Sequence, residues 1–190
     1  MPGFFGDIIG ILLFLPFIRD LACARFGRDP KTIRSLEGLS LVDIGCGGGV
    51  LSEPLARLGA QVTGLDPAPT NVAVARAHAE SSGLAVDYRQ ETIEALVAEG
   101  ARFDIVLAME VVEHVADVEA FVVACCAAVK PGGLLVMATL NRTLKSYALA
   151  IVGAEYVLRW LPRGTHDWEK FVTPDELGAA IERSGLELGE

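Results

Sequence analysis

Three side chains that could carry chemistry lie close together in the segment 109–115, which reads MEVVEHV. In a helix, Glu110, Glu113 and His114 would share one face, because residues three and four apart are neighbours there. Two carboxylates and an imidazole can hold a divalent cation, and these oxygen and nitrogen donors suit Mg²⁺, Mn²⁺ or Zn²⁺. Without a metal, His114 could act as a general base, since the unperturbed pKa of histidine is about 6.5. The spacing equally allows a structural role in which these groups cap helices and bind backbone.

A second candidate site is the glycine-rich segment 45–49, which reads GCGGG. It follows an apolar run at 41–44 and precedes leucines at helical spacing, which predicts a turn from a strand into a helix. Glycine permits positive φ and lets a ligand lie against bare backbone. Asp66 comes 21 residues after Gly45, at the end of the next predicted strand, where a carboxylate can accept hydrogen bonds from both ribose hydroxyls. The pattern predicts the βαβ unit of a nucleotide-binding sheet.

The glycine spacing distinguishes two classes of ligand. A dinucleotide fingerprint, G-x-G-x-x-G, starting at Gly45 would place a glycine where the chain has Val50. Counted from Asp43, the segment instead reads D-x-G-x-G-x-G. This departure argues against a nicotinamide-dependent oxidoreductase, for which the sequence also offers no plausible Tyr/Lys catalytic pair.

The elements that must position these groups alternate between apolar strands and helices. Predicted strands cover 41–44, 62–65, 86–89, 103–108 and 134–138. This order predicts an α/β fold with a mostly parallel sheet and helices on both faces. Ligands bind outside the carboxyl ends of the strands in such a sheet, and Glu91 and Thr92 lie just past the third one. Thr92 fits equally well as the cap of the next helix.

Composition indicates a globular protein and argues against nucleic acid as a partner. A chain of 190 residues that is 52% hydrophobic and 22% charged can bury a sizeable core. Its net charge of −9 is the opposite of the clustered Lys and Arg that bind phosphate backbones. The four cysteines show neither a C-x-x-C pair nor zinc spacing, which is typical of a reducing, cytoplasmic compartment.

Residues 1–38 are interpreted as an N-terminal helical segment ahead of a domain that covers 39–190. The stretch 4–18 is almost wholly apolar, but its uninterrupted part is too short for a spanning helix of ~20 residues. It also lacks the basic start and cleavage site of a signal peptide. Two interpretations remain, a helix packed on the domain and an amphiphilic flap that touches lipid or substrate. We favour the packed helix, because an exposed apolar patch promotes aggregation.

Three segments together resemble the ubiquinone-biosynthesis O-methyltransferases, a family of class I S-adenosylmethionine-dependent methyltransferases. They read GCGGGVLSEPLARLGA, MEVVEHV and LNRTLKSYALAIVGAEYVLRWLPRGTHDWEKFVTP. The resemblance covers roughly residues 39–185, and its longest segment is specific well beyond general methyltransferase motifs. It implies a Rossmann-like class I methyltransferase fold.

The same resemblance implies S-adenosylmethionine as the cofactor and assigns roles to single residues. Cofactor contacts are expected from the glycine loop and from the ends of its neighbouring strands, at Asp43, Gly45, Cys46, Gly47, Asp66, Glu91, Thr92 and Met109. The family binds a divalent metal at the positions of Glu110, Glu113 and His114. Catalytic roles are accordingly expected for Glu110 and His114.

The reaction implied by the resemblance is O-methylation of a catechol-type polyprenyl intermediate, a 2-polyprenyl-6-hydroxyphenol or 3-demethylubiquinol. A metal chelated by both catechol oxygens would favour the phenolate. The apolar segment 143–165 is expected to be a helical insertion that docks on the membrane surface, since the acceptor is a membrane lipid. We therefore expect a cytoplasmic protein, peripheral on the inner face of the membrane, with partners in ubiquinone biosynthesis. His166 and Asp167 could close over the acceptor, or Asp167 could simply cap a turn.

The chain departs from the family at both ends. Aligning residues 17–20 on the family places Phe14 where a cofactor-binding arginine belongs. The family's sheet finishes with an antiparallel strand pair, whereas this chain ends as residues 186–188 begin the first of them. We expect that pair to be missing and the fifth strand to be an exposed edge. Two alternatives therefore stay open, another small-molecule methyltransferase and a truncated, non-catalytic cofactor-binding domain.

Overall fold

The fold is built on one parallel β-sheet. The computed structural model describes residues 3–139 and 172–188. In these ranges the strands are β1 (Ser40–Ile44), β2 (Gln61–Leu65), β3 (Asp87–Arg89), β4 (Phe103–Met109) and β5 (Val129–Ala138). Their order is β3-β2-β1-β4-β5, and every neighbouring pair is parallel. The predicted α/β fold with a mostly parallel sheet is confirmed.

The strand order reverses at the centre of the sheet. From β1 the chain moves outward through β2 to β3, then returns to place β4 and β5 on the other side of β1. In open α/β sheets a crevice forms at the carboxyl ends of the strands where the order switches, here between β1 and β4. The segments that follow these two strands are the glycine loop and the 109–115 segment. The topology therefore brings the two predicted sites to one crevice.

Helices cover both faces of the sheet. They are α1 (Gly3–Arg25), α2 (Ser52–Arg57), α3 (Pro69–Ser81), α4 (Ile93–Ala98), α5 (Val118–Ala127) and α6 (Pro174–Arg183). Strand residues alternate between two core clusters, because successive side chains point to opposite faces. Leu41 and Ile105 pack with α1 and α2, whereas Val42 and Val106 pack with α4 and α5.

The N-terminal helix packs on the domain along its second half. Ile18, Ala22 and Cys23 of α1 are buried in the same cluster as Leu41. This supports the packed-helix interpretation for that part of α1, although the domain boundary at residues 38 and 39 stays a prediction. No helix in the described ranges is long and apolar enough to cross a membrane.

Four residues stand at the starts of helices predicted from the sequence and are expected to cap them: Thr70, Thr92, Asp117 and Thr173. Three of these caps are confirmed and one is wrong. The side chains of Thr92, Asp117 and Thr173 each accept a hydrogen bond from a backbone N–H in the first turn of the helix that follows. Thr70, however, does not cap α3, because the helix already begins at Pro69. The fixed φ of proline suits the first helical position, so the helix starts one residue earlier.

The predicted ends of the sheet also differ from the structure. The sequence Lys-Pro-Gly-Gly at 130–133 predicts a turn ahead of the fifth strand. Strand β5 instead begins at Val129, so this segment lies within the strand and shifts its register against β4. Residues 186–188 form no strand, which corrects the prediction that a further strand begins there. The predicted insertion 143–165, with His166 and Asp167 after it, lies outside the described residues.

Candidate functional site

The glycine loop makes a tight turn at the carboxyl end of β1. Gly45, Gly47 and Gly49 all have positive φ, at 71°, 53° and 82°. The backbone N–H groups of Gly45 and Cys46 both donate to the carbonyl oxygen of Leu65, at 2.8 and 2.9 Å. These bonds tie the loop to the end of β2, next to Asp66. The predicted proximity of the loop and Asp66 is therefore a direct consequence of the β1–β2 pairing.

The three glycines serve different purposes. A Cβ on Gly45 would lie 2.5 Å from Cγ2 of Val111, and one on Gly49 would lie 2.9 Å from the Tyr88 ring. These two positions are glycine because other side chains occupy the space beside them. A Cβ on Gly47 would meet no atom of residues 3–139 or 172–188 within 4 Å. Gly47 is thus the part of the loop whose bare backbone faces open space.

Asp66 is buried and bonded to the same loop. One carboxylate oxygen accepts from the backbone N–H of Gly47 at 3.0 Å. The other accepts from Ala68 N at 2.9 Å and from Asn71 Nδ2 at 3.2 Å. A carboxylate has about four acceptor positions, so one is left for a ligand hydroxyl. A ligand with two adjacent hydroxyls would have to displace one of the present donors.

Asp43 lies behind the loop and shares a short hydrogen bond with α2. Its carboxylate is 3% exposed and accepts from Ser52 Oγ at 2.5 Å. Burial raises the pKa of Asp43 to about 6, the charge of Asp66 adds to the rise, and the Ser52 hydrogen bond opposes it. Near neutral pH, a positively charged ligand group in the crevice would favour the ionised form.

Cys46 is the one loop residue with a side chain, and its thiol is not reactive. Its thiol is buried and contacts the carbonyl oxygen of Gly47 at 3.8 Å. Burial, followed by the charges of Asp43 and Asp66, raises the pKa of this thiol well above its usual range. A neutral thiol is a poor nucleophile, so the residue does not resemble a reactive cysteine.

The end of β4 carries an unusual backbone conformation. Met109 is buried in the core, and Glu110 immediately after it has a φ of 57°. Its N–H donates to the carbonyl oxygen of Ala138 at 2.8 Å, which extends the sheet pairing by one residue. Positive φ is uncommon outside glycine and clusters at functional sites. The turn places the side chain of Val111 against Gly45, so the two predicted sites are in direct contact.

The helical face predicted for Glu110, Glu113 and His114 is wrong. Only Val112–His114 form a helix, a single 3-10 turn, and Glu110 lies outside it. Glu113 is buried and accepts a hydrogen bond from Thr139 Oγ1 at 2.8 Å, whereas Glu110 and His114 are exposed. Within 3–139 and 172–188, no three His, Cys, Asp or Glu side chains are grouped so that they could hold a metal. These residues do not fit a metal as they stand, and metal binding stays a prediction.

The segment after β3 supports the structural interpretation of Thr92. Its hydroxyl accepts from Ala95 N at 3.4 Å and so caps α4. Glu91 is half-buried, and its carboxylate lies 3.8 Å from Arg89. Both residues lie at the same edge of the sheet as Asp66, and their contact with a cofactor stays a prediction.

Two features of the site have no counterpart in the sequence analysis. Tyr88 on β3 reaches Gly49 from below the loop. Glu53, buried on α2, lies 2.5 Å from Nδ1 of His78 on α3. His78 is mostly exposed, and no sequence pattern indicates its pairing with Glu53. Both contacts join residues far apart in sequence and leave no local pattern.

Comparison with known proteins places this chain in a family. The family model described as a methyltransferase domain matches residues 42–137. The ubiquinone biosynthesis O-methyltransferase of Methylobacterium sp. (strain 4-46) is 69% identical over 176 residues, which cover 93% of this chain and 71% of that protein. The protein of the same name from Methylobacterium nodulans is 71% identical over 172 residues, covering 90% and 69%. The chain belongs to the ubiquinone biosynthesis O-methyltransferases.

Solved structures agree with this O-methyltransferase at the level of the fold. Magnesium protoporphyrin IX methyltransferase from Synechocystis PCC 6803, solved with bound SAH, matches with a TM-score of 0.72 at 19% identity, over 97% of this chain and 75% of that one. The predicted class I methyltransferase fold is confirmed. Given its family, the protein is an S-adenosylmethionine-dependent O-methyltransferase of ubiquinone biosynthesis. The bare backbone at Gly47 and the adjacent Asp66 fit a nucleoside cofactor.

Proposed function

We propose that this O-methyltransferase binds S-adenosylmethionine across the carboxyl ends of β1 and β2. The observation that carries the proposal is the 3.0 Å hydrogen bond from Gly47 N to the buried carboxylate of Asp66, at a glycine that no side chain of the described residues covers. Gly45, Gly47 and Asp66 would hold the nucleoside. Asp43, Cys46, Glu91, Thr92 and Met109 complete the proposed contact set around them. When bound, the cofactor supplies an electrophilic methyl group.

The acceptor is proposed to lie in the crevice beyond β4, next to Glu110 and His114. Both side chains are exposed there, and the contact of Val111 with Gly45 sets the distance between this segment and the glycine loop. His114 would take the phenol proton, with Glu110 orienting the acceptor. Proton transfer from a phenol to an imidazole is unfavourable in water, because the phenol is the weaker acid. Positioning at the crevice must therefore align proton removal with methyl transfer.

We further propose a polyprenyl catechol as the acceptor, reached from the inner face of the membrane. The family's printed name places the reaction in ubiquinone biosynthesis, whose intermediates carry a hydrophobic tail. The segment 143–165 is the proposed docking surface, on the strength of its apolar sequence.

Two assays test the proposed function. Isothermal titration should detect S-adenosylmethionine binding and no binding of NADH. A methylation assay on a short-chain polyprenyl catechol, with and without a chelator, then tests the acceptor and the metal together. Binding of NADH in place of S-adenosylmethionine would contradict the proposed site. Loss of all activity with chelator would show that the reaction needs a metal.

A further inference from the structure

Tyr88 occupies the space directly beneath the glycine loop. It sits in the middle of β3, opposite Gly64 of β2, and is 1% exposed. A Cβ on Gly64 would lie 2.5 Å from Cδ1 of the Tyr88 ring, so the ring lies flat over the one strand position that leaves it room. The hydroxyl end of the same ring reaches Gly49, the last glycine of the loop. One aromatic side chain thus spans from the sheet to the loop.

In the described part of the chain, the Tyr88 hydroxyl has no partner that meets both the distance and the angle of a hydrogen bond. Ser52 lies close enough to oppose the rise in its pKa. Burial raises the pKa of the phenol well above its usual range, so the group stays neutral. A buried hydroxyl without a partner is unfavourable. The contact of Tyr88 with Gly49 is therefore van der Waals packing, in which the ring and its oxygen fill the space under the loop.

Tyr88 is itself held rigidly by α3, the helix that follows Asp66. Arg76 donates two hydrogen bonds to the Tyr88 carbonyl oxygen, at 3.0 and 2.5 Å. Val72, Ala75 and Ala79 of α3 pack in one cluster with the ring and with Cys46. Tyr88 is thus in contact with both segments that carry the proposed cofactor contacts.

We infer that Tyr88 is a positioning residue that holds the loop 45–49 in its cofactor-binding conformation. Gly49 accepts the first hydrogen bond of α2, from Glu53 N at 3.1 Å, and its own N–H donates to Cys46 at 2.9 Å. Its position therefore fixes both the loop and the start of α2. Glycines relax easily when a packing neighbour is removed, because they have the widest choice of φ and ψ. The inference rests on the proposed placement of S-adenosylmethionine at this loop.

The test compares Tyr88→Leu with Tyr88→Phe, which keeps the ring. We expect Tyr88→Leu to raise the Kd for S-adenosylmethionine about tenfold by titration, with the KM for the catechol acceptor within about twofold. Tyr88→Phe should bind the cofactor within about threefold of the parent, because the hydroxyl has no partner to lose. Ile105→Ala truncates a fully buried side chain of β4 and should lower the denaturation midpoint without changing the Kd.

A double-mutant cycle tests this coupling directly, and its Gly64→Ala single variant keeps the inference testable if Tyr88→Leu folds poorly. Gly64→Ala should weaken cofactor binding about tenfold by pushing the ring towards Gly49, yet by less than about threefold in the Tyr88→Leu background. Independent effects, or an unchanged Kd in Tyr88→Leu, would overturn the inference. So would equal losses in Tyr88→Phe and Tyr88→Leu. If neither Tyr88→Leu nor Gly47→Ala changes the Kd, the proposed cofactor site itself is wrong. If Gly47→Ala weakens binding but Tyr88→Leu does not, the site stands and only the role proposed for Tyr88 is wrong.

Discussion

Gly47 and Gly83 offer a matched pair of residues for separating backbone strain from cofactor binding. Both have positive φ, 53° and 65°, and a Cβ on either would meet nothing within 4 Å. Alanine should therefore cost each about 1 kcal/mol of folding free energy through strain alone. We expect Gly47→Ala to raise the Kd for S-adenosylmethionine at least tenfold, because its methyl group would occupy the space proposed for the ligand. Gly83→Ala should leave the Kd for S-adenosylmethionine unchanged. Equal Kd values for Gly47→Ala and Gly83→Ala, measured by titration, would contradict the proposed site.

Asp43 is expected to stabilise the complex with the ligand but to lower the folding stability of the free protein. Its pKa in the fold, about 6, lies above the ~3.9 of an unfolded aspartate. The folded state therefore binds the extra proton between these values, and this group's contribution to stability falls as the pH rises from about 4 to 6. We predict that Asp43→Asn is more stable than the parent by about 1–3 kcal/mol at pH 8, with a smaller gain near pH 4.

Urea denaturation of the Asp43→Asn variant at several pH values measures this difference. The same variant should bind S-adenosylmethionine more weakly, because a neutral amide cannot pair with a positively charged ligand group. A gain in stability that does not vary with pH would show that Asp43 is ionised in the fold as readily as in water. Tighter cofactor binding by the variant would remove Asp43 from the proposed site.

Among the larger elements, three strands are joined at the end of the sheet opposite the glycine loop. Asp104 of β4 accepts from Ser40 N, Ser40 Oγ and Lys130 Nζ, at 2.8, 2.6 and 3.0 Å. Partial burial opposes ionisation of Asp104, but the hydrogen bonds from Ser40 and Lys130 outweigh it and lower the pKa. The stability gained from this carboxylate is present above the unfolded pKa and is lost as the pH falls through the folded one.

We predict that Asp104→Asn destabilises the fold by about 1 kcal/mol at neutral pH and by less in acid. The sign is opposite to that of Asp43→Asn, so the two variants control for each other in the same urea titrations. Cofactor affinity should stay unchanged, because Ser40 begins the strand whose far end carries the glycine loop. A loss of S-adenosylmethionine binding would mean that the two ends of the sheet are coupled.

The elements were predictable where one local signal determines them. Apolar runs located the strands, and the spacing from Gly45 to Asp66 located their contact, because parallel pairing of β1 with β2 requires it. The arrangement of Glu110, Glu113 and His114 was not predictable from helical spacing. The Glu110 N–H pairs with Ala138 of a distant strand instead. The contact of Tyr88 with Gly49 was equally unpredictable from the sequence, because it depends on which strands become neighbours in the sheet.

Across the whole molecule, the order of the strands brings the proposed cofactor and acceptor sites together. The strand order reverses between β1 and β4, which places the segments after these two strands at one crevice. The contact of Val111 with Gly45 joins these two segments. Methyl transfer needs little more from the protein than two reactants held in line, since the cofactor carries the reactive group. The net charge of −9 means that any membrane contact must come from a local surface rather than from overall attraction to acidic lipids.

A crystal structure of the protein with S-adenosylhomocysteine tests the central claim most directly. We predict the nucleoside against the backbone of Gly47, with at least one ribose hydroxyl within hydrogen-bonding distance of the Asp66 carboxylate. The homocysteine portion should lie near Asp43. A nucleoside bound elsewhere, with Asp66 still bonded only to Gly47, Ala68 and Asn71, would contradict the account.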